Sequence, residues 1–485
     1  MSNMPLTKGA RFTTGLALLF VVSQALGQHR NDNWLITGNW VTFQSGVPVN
    51  VEDPPQSAAG PVLSDTNGTL KVYASSEGLR NSSHLPIGNH PDYPPLPFVG
   101  SSEKTGVFLP RPGFPDEAYF IGLHMDNSSG SPVRRMGILT LDLGGPSSQP
   151  MVLDTGFTWF MQDPMRKCMA LPHANGTDYW FVAQLSGGNT FHAYLVSGAG
   201  ISGPPVLSSA GPVAPADWFH GKMVPNFQGD RFANVMERSS YSSATATPES
   251  LSLLEFDNAT GAIQESFTFP DLFRIKGVEF SRNGRYFYVA DFLTPIGTSP
   301  HRRDLYQYDL ENPNVVASRS LIDTYTSNTT YHGSANVLSL GPDGKIYVAG
   351  ELYADTLGCI NAPELPGVQC DFTREALFCP WPWITLPAPV KRYHDDALSG
   401  QGIADNPRPM AISLRPNPTH DRIQLSGLPS SARSFALRDA MGRVVLGGPL
   451  VQSIIDLSAL ASGSYAVEVL DSRGRRLGAA RAMKE

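Results

Sequence analysis

The sequence predicts an all-β protein with a large repetitive body and a small second domain at the C-terminus. Three observations support this fold class. Gly and Pro are abundant, at 46 and 41 of 485 residues, whereas charged residues make up only 16%. Polar turns that contain glycine recur along the body, and each is followed by an alternating apolar and polar stretch. Charged helical repeats are missing, so short strands joined by turns explain the pattern best.

The N-terminus is typical of a secretory signal peptide. Lys8 and Arg11 precede the apolar run TGLALLFVV, and small residues follow at Ala25 and Gly27. This order of charge, apolar core and small residues predicts that residues 1–27 direct export and are then removed. No stretch reaches the roughly 18 apolar residues that a membrane-spanning helix needs, so we expect no transmembrane segment.

The body, residues 28–394, contains a repeated hairpin unit. SDTNGTLKVYAS, HANGTDYWFVAQL, FSRNGRYFYVAD and LGPDGKIYVAG each place a polar turn before a strand. Glycine supplies the positive φ that such turns require. The turn glycines lie 45 to 63 residues apart, which matches one four-stranded sheet per repeat and predicts a β-propeller. These glycines are Gly68, Gly113, Gly176, Gly229, Gly284 and Gly344.

Six repeats are visible, and we expect a propeller of seven blades. The seventh blade is predicted to form jointly from residues 33–43 and residues 380–393, because closing the ring removes exposed sheet edges. A sandwich built from the whole body would be too large for one core. A parallel β-solenoid would need a shorter repeat.

The C-terminal part differs from the body. Residues 395–410 are polar and rich in turn residues, and we interpret them as a linker. Residues 411–485 form short alternating strands joined by turns, which predicts a small Ig-like β-sandwich. Pro416 and Pro418 fix φ where this domain begins.

Several short motifs lie along this second domain. A Pro-Asn-Pro start is followed by an acidic residue, then by an Asp-x-x-Gly-Arg turn, a Leu-x-x-Gly-x-Tyr segment and a lysine close to the end. The motif residues are Pro416, Asn417, Pro418, Asp421, Asp439, Gly442, Arg443, Leu460, Gly463, Tyr465 and Lys484.

In their order and separations these motifs resemble the type A C-terminal sorting domain of type IX secretion (Por) substrates in Bacteroidetes. The resemblance implies an interaction with the type IX secretion machinery, passage across the outer membrane and removal of this domain. One departure is Arg415, which stands between Leu414 and the first proline of the motif.

The body also resembles propellers that carry such a tail in secreted Bacteroidetes proteins. The similarity rests on Asn33, Trp34, Phe43, Gly46 and Pro48, and on the segments HANGTDYW and PDGKIY. An early Phe-Gly pair of that pattern is replaced here by Leu-Ile-Thr. The resemblance implies the fold and a secreted or cell-surface location, and it implies no established enzymatic activity.

The charge distribution limits the partners of the body. The formal net charge is −7, the signal peptide carries two of the cations, and residues 411–485 carry a net +4. The part between them therefore has a net charge of −13. Such an acidic body argues against nucleic acid and anionic lipid surfaces as partners.

Catalytic and cofactor motifs are missing from the sequence. It contains no nucleophile elbow, zinc-binding helix, phosphate-binding loop or dinucleotide fingerprint, and we predict no cofactor and no metal. Asp65 and Asp343 lie in turns that lack the further carboxylates of a calcium loop. We expect His301, Arg302 and Arg303 to form a solvated loop cluster.

The densest group of polar and aromatic residues is His173, Asn175, Asp178 and Trp180. One hypothesis is a sugar site in which Trp180 stacks on the ligand and Asp178 accepts hydrogen bonds from hydroxyls. The other interpretation, which we favour, is a hairpin turn at Asn175 with a core tryptophan after it.

Three of the four cysteines, Cys359, Cys370 and Cys379, lie close together in the sequence, whereas Cys168 is remote. Disulfides form in the oxidising environment that an exported protein enters, and we expect a Cys359–Cys370 bridge. The spacing does not choose among the possible pairings.

Two classes of function fit these observations. The first is an exported, non-catalytic propeller that binds an extracellular glycan, a protein or a surface. The second is a secreted hydrolase or lyase with acidic residues lining the propeller channel. Two carboxylates within about 10 Å of each other at the channel mouth, with an arginine or histidine, would favour the enzyme.

Overall fold

A computed structural model describes most of the chain after the predicted signal peptide. Its regular elements are β-strands and three short 3-10 helices, His29–Asn31, Val316–Ser318 and Gly367–Cys370. No helix in this part of the chain is long and apolar enough to cross a membrane. The described residues are 29–36, 38–51, 60–75, 78–87, 106–126, 133–144, 150–154, 156–215, 218, 220–237, 250–270, 272–293, 301–327, 337–349, 355–379, 386–394, 413–426, 428, 432–438, 444–450, 453–470 and 476–485.

Residue contacts divide the chain into two compact units, Met1–Gly400 and Gln401–Glu485. In the first unit the described residues form seven antiparallel sheets that follow one another along the chain. Sheet 1 contains β1 (Asn33–Ile36), β2 (Asn39–Thr42) and β3 (Val49–Val51). Sheet 2 contains β4 (Val62–Ser64), β5 (Leu70–Ser75) and β6 (Gly78–Asn81). Sheet 3 contains β7 (Gly106–Pro110), β8 (Glu117–Asp126), β9 (Val133–Asp142), β10 (Met151–Val152) and β11 (Thr158–Gln162), and both β10 and β11 pair with β9.

The next four sheets continue this order. Sheet 4 contains β12 (Pro164–Pro172), β13 (Tyr179–Leu185), β14 (Thr190–Ser197), β15 (Gly200–Ile201) and β16 (Val206–Ser209). Sheet 5 contains β17 (His220–Pro225), β18 (Arg231–Glu237), β19 (Ser250–Phe256) and β20 (Ile263–Thr268). Sheet 6 contains β21 (Ile275–Phe280), β22 (Tyr286–Phe292), β23 (His301–Asp309) and β24 (Ser320–Ser327). Sheet 7 contains β25 (Leu338–Leu340), β26 (Ile346–Val348), β27 (Thr356–Ile360) and β28 (Phe372–Phe378).

The sheets are arranged like the blades of a propeller. The first strand of each sheet contacts the first strand of the next one, in the order β1, β4, β7, β12, β17, β21 and β25. Apolar clusters fill the spaces between neighbouring sheets. This arrangement confirms the predicted all-β propeller class. The number of blades in the complete ring stays a prediction.

The six predicted turn glycines occupy equivalent places. Each lies between the first and second strands of its sheet, from sheet 2 to sheet 7, with φ between 75° and 81°. Neighbouring turns contact each other: Gln228 Nε2 of the sheet 5 turn donates to the Arg282 carbonyl of the sheet 6 turn at 2.9 Å. These φ values confirm the prediction that the turns need positive φ. Glycine occupies the positions because residues with a Cβ rarely adopt this conformation.

The first and last sheets pack against each other. Trp34 of β1 and Phe43 share an apolar cluster with Tyr347 of β26 and Leu386. Residues 33–43, expected as part of one blade, form the strands β1 and β2 around Gly38, which has φ 71°. Of the predicted partner segment 380–393, residues 380–385 lie outside the described part, and residues 386–393 form no strand.

Residues 386–394, which we call the closing segment, run along the inner strands of the ring. They line two cavities together with residues of β4, β7, β12 and β17. Hydrogen bonds tie them to sheets 3, 4 and 6 and to Asn31, which lies shortly before sheet 1. Asn31 Nδ2 donates to the Val390 carbonyl at 2.7 Å, Lys391 pairs with Glu279, the Tyr393 hydroxyl donates to the Phe108 carbonyl at 3.5 Å, and His394 Nε2 donates to the Asp178 carbonyl.

Buried charges join sheets 4, 5 and 6. Glu237 is fully buried and accepts from Lys222 of its own sheet and from Lys276 of sheet 6, the latter at 3.0 Å. Burial opposes ionisation of Glu237, but the two ammonium groups outweigh it and hold the pKa at about 2. Lys167 of sheet 4 donates to Asn234 Oδ1 of sheet 5 at 2.7 Å. These residues connect neighbouring blades through buried polar contacts.

The second unit contains two sheets around one core. Its strands are β29 (Ser413–Arg415), β30 (Arg422–Ser426), β31 (Ser434–Arg438), β32 (Val444–Pro449), β33 (Ile454–Asp456), β34 (Gly463–Leu470) and β35 (Arg476–Lys484). One sheet has the order β29-β30-β33, and the other has the order β32-β31-β34-β35. Ile423 and Ile455 of the first sheet share an apolar cluster with Leu437 and Val467 of the second. The unit is therefore a β-sandwich.

The expected Cys359–Cys370 disulfide is wrong for this structure, where both are free thiols. Cys359 packs into the cluster between sheets 1 and 7, whereas Cys370 packs against residues of sheets 6 and 7. Burial raises the pKa of Cys359 to about 12 and raises the pKa of Cys370 as well. Closeness in sequence did not place the two sulfur atoms in one cluster.

We predict that Glu237→Gln lowers the free energy of unfolding by about 3–5 kcal/mol, because Lys222 and Lys276 lose the buried carboxylate that neutralises them. Glu255 on the exposed side of β19 provides the control, and Glu255→Gln should change stability by less than about 0.5 kcal/mol. Urea denaturation of the full chain measures both. Equal stability of the two variants would contradict a role of Glu237 in joining sheets 5 and 6.

Candidate functional site

The Pro-Asn-Pro motif of the second unit is bound to the last strand. Asn417 Nδ2 donates to the Arg481 carbonyl at 2.7 Å, and its Oδ1 accepts from the Met483 amide at 2.8 Å. Thr419 continues this contact, because its amide donates to the Met483 carbonyl at 2.8 Å. The Pro-Asn-Pro start is therefore joined to the C-terminal strand β35 by both ends of one amide side chain.

The other motif residues lie around this junction. Lys484 pairs in register with Gly463 on β34 and forms a bridge with Thr419. The Tyr465 ring is buried in the sandwich core, and its hydroxyl donates to the Ala461 carbonyl at 2.7 Å. The structure thus brings the first and last motif residues together. Leu460 packs at the edge of the core, and the Asp421 carbonyl accepts a hydrogen bond from the Leu457 amide. The other predicted motif residues, Asp439, Gly442 and Arg443, lie outside the described residues.

Gly463 differs from the other turn glycines. Its place after a short turn in the sequence predicts positive φ, but its backbone is not in the left-handed region. A Cβ at this position would lie 3.9 Å from the Tyr465 ring, which is ordinary van der Waals distance. That expectation is wrong because Gly463 belongs to the strand β34 and not to the turn before it.

The cluster at residues 173–180 is a hairpin turn with a core tryptophan. Asn175 Oδ1 accepts from the Thr177 and Asp178 amides at 3.0 Å each, and its Nδ2 donates to Asp178 Oδ2 at 2.8 Å. The Trp180 side chain is only 5% exposed, and the His173 ring stacks on it with centroids 5.2 Å apart. The sugar-stacking hypothesis for Trp180 is therefore wrong, because its ring faces are covered.

Trp180 also connects two blades. Its Nε1 donates to the Asn258 carbonyl at 2.9 Å, and the same carbonyl accepts from the Ala174 amide. A Cβ at Gly261 would lie 2.8 Å from the indole ring, so the loop after β19 fits against this tryptophan only with glycine there. The polar residues that suggested a ligand site instead hold the turn and join sheet 4 to sheet 5.

The inner side of the ring holds a small cavity of about 20 Å³ beside the closing segment. Cys168, Met169, Met223 and Val224 contribute apolar walls. Among its lining residues the single carboxylate is Glu279, whose oxygens accept from Lys391, the Leu340 amide and the Phe280 amide. A carboxylate with these partners is suited to holding the closing segment.

A pair of carboxylates lies elsewhere, within sheet 6. Asp291 and Asp304 face each other on β22 and β23, and each is 1% exposed. Burial raises the pKa of Asp291. Burial also acts on Asp304, but hydrogen bonds from Arg302, Tyr306 and Thr324 outweigh it and lower the pKa. Neighbouring acids whose pKa values are shifted in opposite directions occur in acid–base catalysis. Here, however, both carboxyl groups are enclosed by the sheet.

The cationic segment at residues 301–303 is not the solvated loop that the sequence suggested. It is the beginning of β23. Arg302 donates two hydrogen bonds to the Asp304 carboxylate, at 3.0 and 2.8 Å. Arg303 is 2% exposed and donates to the Ala349 carbonyl at 2.9 Å. Both cations therefore stabilise sheet 6 and its contact with sheet 7.

Sequence reasoning missed the closing segment as a distinct element. Its sequence, LPAPVKRYH, lacks the apolar and polar alternation of a strand, and its two prolines cannot donate to a sheet ladder. The prolines before a lysine and a tyrosine could have indicated an extended, non-strand segment. The sequence carried no sign that this lysine would meet Glu279 of another sheet.

Comparisons with known proteins give only distant likenesses. No protein-family model matches the chain, and no curated protein matches it. Solved structures with similar folds include a protein from Lactobacillus plantarum, with 11% identity and a TM-score of 0.35, covering 71% of this chain and 93% of that one. The β-propeller domain of the Trilobed protease from Pyrococcus furiosus has 8% identity and a TM-score of 0.26, covering 77% and 92%.

A third similar structure is PorZ, a surface component of the type-IX secretion system of Porphyromonas gingivalis. It has 13% identity and a TM-score of 0.20, and the match covers 94% of this chain and 80% of PorZ. Likenesses this distant support no inference about activity or partners. The fold assignment therefore rests on the sheet order and the contacts between sheets.

We predict that Trp180→Ala lowers the free energy of unfolding by about 3–5 kcal/mol, as expected for a buried aromatic ring at a junction of two sheets. Leu207 on sheet 4 is 61% exposed, and Leu207→Ala serves as the control with little expected change. Chemical denaturation of both variants measures the difference. A Trp180→Ala protein as stable as the control would show that this ring is not part of the core.

Proposed function

We propose that the chain is an exported β-propeller that acts by binding, and that its second unit serves as the sorting domain for type IX secretion. In this proposal residues 1–27 are a signal peptide, residues 395–410 are a linker, and residues 411–485 are the export domain. The mature body would work at the cell surface or in the medium. Its ligand would be an extracellular glycan, a protein or a surface.

The observation that carries the export proposal is the junction around Asn417. Motif residues from the start and the end of the second unit meet there, since Asn417 binds the backbone of β35 and Lys484 pairs with Gly463. Residues far apart in sequence that build one surface feature can be recognised together by a partner. This geometry supports the sorting proposal, because the first and last motif segments lie side by side on the folded unit.

The binding proposal is supported by the way the closing segment packs inside the ring. The closing segment occupies the inner side of the ring, and the Glu279 carboxylate beside the cavity is engaged by Lys391 and two backbone amides. A hydrolase in a propeller channel needs acids that a substrate can reach. The described channel residues are arranged for packing, which favours recognition on the outer faces of the sheets.

A second candidate function is a hydrolase or lyase, and the observation that favours it is the Asp291–Asp304 pair. The two carboxyl groups have pKa values shifted in opposite directions, and Arg302 lies beside them. Their burial requires that sheet 6 open before a substrate could reach them. Loss of a measured activity in Asp291→Asn, with stability retained, would support this candidate over the binding proposal.

We predict that deleting residues 411–485 leaves a folded propeller in the periplasm of a cell that has a type IX secretion system. The reason is that the second unit has its own core, so its removal takes no apolar residues from the sheets of the first unit. Cell fractionation and blotting for the propeller measure its location. Normal amounts of truncated protein at the surface or in the medium would overturn the sorting proposal.

A point variant separates recognition from loss of the whole unit. Asn417→Ala removes both hydrogen bonds to β35 and should lower the exported fraction, whereas Gln424→Ala, an exposed change on β30, should leave it unchanged. Equal export of the two variants would show that the Asn417 junction is not what the secretion machinery recognises.

A further inference from the structure

Sheet 3 contains a row of glycines that ends at a tryptophan. Gly106 is opposite Gly122, Gly122 is opposite Gly137, and Gly137 is opposite Trp159 on the outer strand β11. A Cβ at Gly137 would lie 2.7 Å from Trp159 Cε3 and 2.9 Å from Phe157 Cδ1. The missing side chain at Gly137 is therefore what allows both rings to lie against the sheet.

The tryptophan in this row is held by other rings but faces solvent. Phe157 stacks on Trp159 with centroids 5.0 Å apart and an interplanar angle of 21°. Phe157 in turn contacts the buried Phe120 at 6.4 Å. Trp159 remains 41% exposed, whereas Trp180, for which sugar stacking was the less favoured hypothesis, is 5% exposed. Sheet 3 thus presents a fixed indole ring at its outer edge.

Polar side chains lie on the same face of the sheet as this ring. The His124 ring lies 5.2 Å from the Trp159 ring. Arg135 is directly opposite His124 on one side and Gln162 on the other, so the three share a face. Gln162 is exposed, and Arg135 is half-buried. The guanidinium offers only donors, and the amide offers both a donor and an acceptor.

We propose that Trp159, His124, Arg135 and Gln162 form a subsite for a pyranose ring of an extracellular glycan. A pyranose has an apolar C–H face and a rim of hydroxyl groups. In this proposal the C–H face packs on the exposed part of the Trp159 side chain, and the hydroxyls meet the donors and acceptors on the same face of the sheet. This inference rests on the proposed binding function and names its ligand class and its place, sheet 3.

The test uses the mature chain on an array of defined oligosaccharides that contain glucose, galactose, mannose, N-acetylglucosamine or glucuronic acid. We expect the wild type to be retained by at least one of them. Trp159→Ala should reduce that retention at least tenfold, and Trp159→Phe should reduce it less because a ring remains. Leu207→Ala, an exposed apolar change on sheet 4, should leave retention unchanged. Melting temperatures of all variants should stay close to that of the wild type.

Each outcome decides the proposal. Loss of retention in Trp159→Ala, with the melting temperature kept, supports the subsite. Retention that is equal in wild type and Trp159→Ala overturns this subsite while glycan binding by the propeller stands. A wild-type protein retained by none of the sugars overturns the glycan assignment, and binding of the protein to whole cells would then still test the broader binding proposal.

Discussion

The packing of the first sheet on the last one is the constraint on which the first unit depends. Trp34 and Tyr347 are 313 positions apart in the chain, and their rings meet with centroids 5.5 Å apart. Phe43 contacts both rings, at 4.9 and 5.7 Å. Without this cluster, sheets 1 and 7 would each expose an apolar face. Because every other sheet is held between two neighbours, this junction determines whether the row of sheets forms a ring.

The closing segment reinforces that junction from inside and shapes what the protein can do. Lys391 meets Glu279 of sheet 6, while the Asn31 side chain binds the Val390 carbonyl close to sheet 1. Because the closing segment occupies the inner side of the ring, the proposed binding would take place on the rims or the outer strands. The exposed Trp159 of β11 lies on such a strand, on a sheet whose core is continuous with the ring interior. In the proposed function, ring closure and ligand binding would therefore use different parts of the propeller.

The features that the sequence revealed are those determined locally. The turn glycines were predictable because positive φ is a property of one residue and its neighbours, and alternation identified the strands that follow them. Contacts between sheets were not predictable. The sequence favoured a core position for Trp180 but did not indicate that the Asn258 carbonyl and Gly261 of sheet 5 would lie against it. His301 to Arg303 suggested a solvated loop, whereas Arg302 binds Asp304 within a strand. The contacts of Trp180 depend on partners dozens of residues away in the sequence. The role of residues 301–303 depends on a strand that their polar sequence did not indicate.

Hydrogen exchange of the Trp34→Ala protein, compared with the wild type by mass spectrometry, tests ring closure most directly. The substitution removes the indole ring from the junction of sheets 1 and 7. We predict faster exchange in β1 and β2 and also in β25, β26 and β27, which lie some 300 residues further along the chain. Strands β13 and β14 of sheet 4 should keep their wild-type exchange. Faster exchange confined to sheet 1, with sheet 7 unchanged, would contradict a ring closed by this contact.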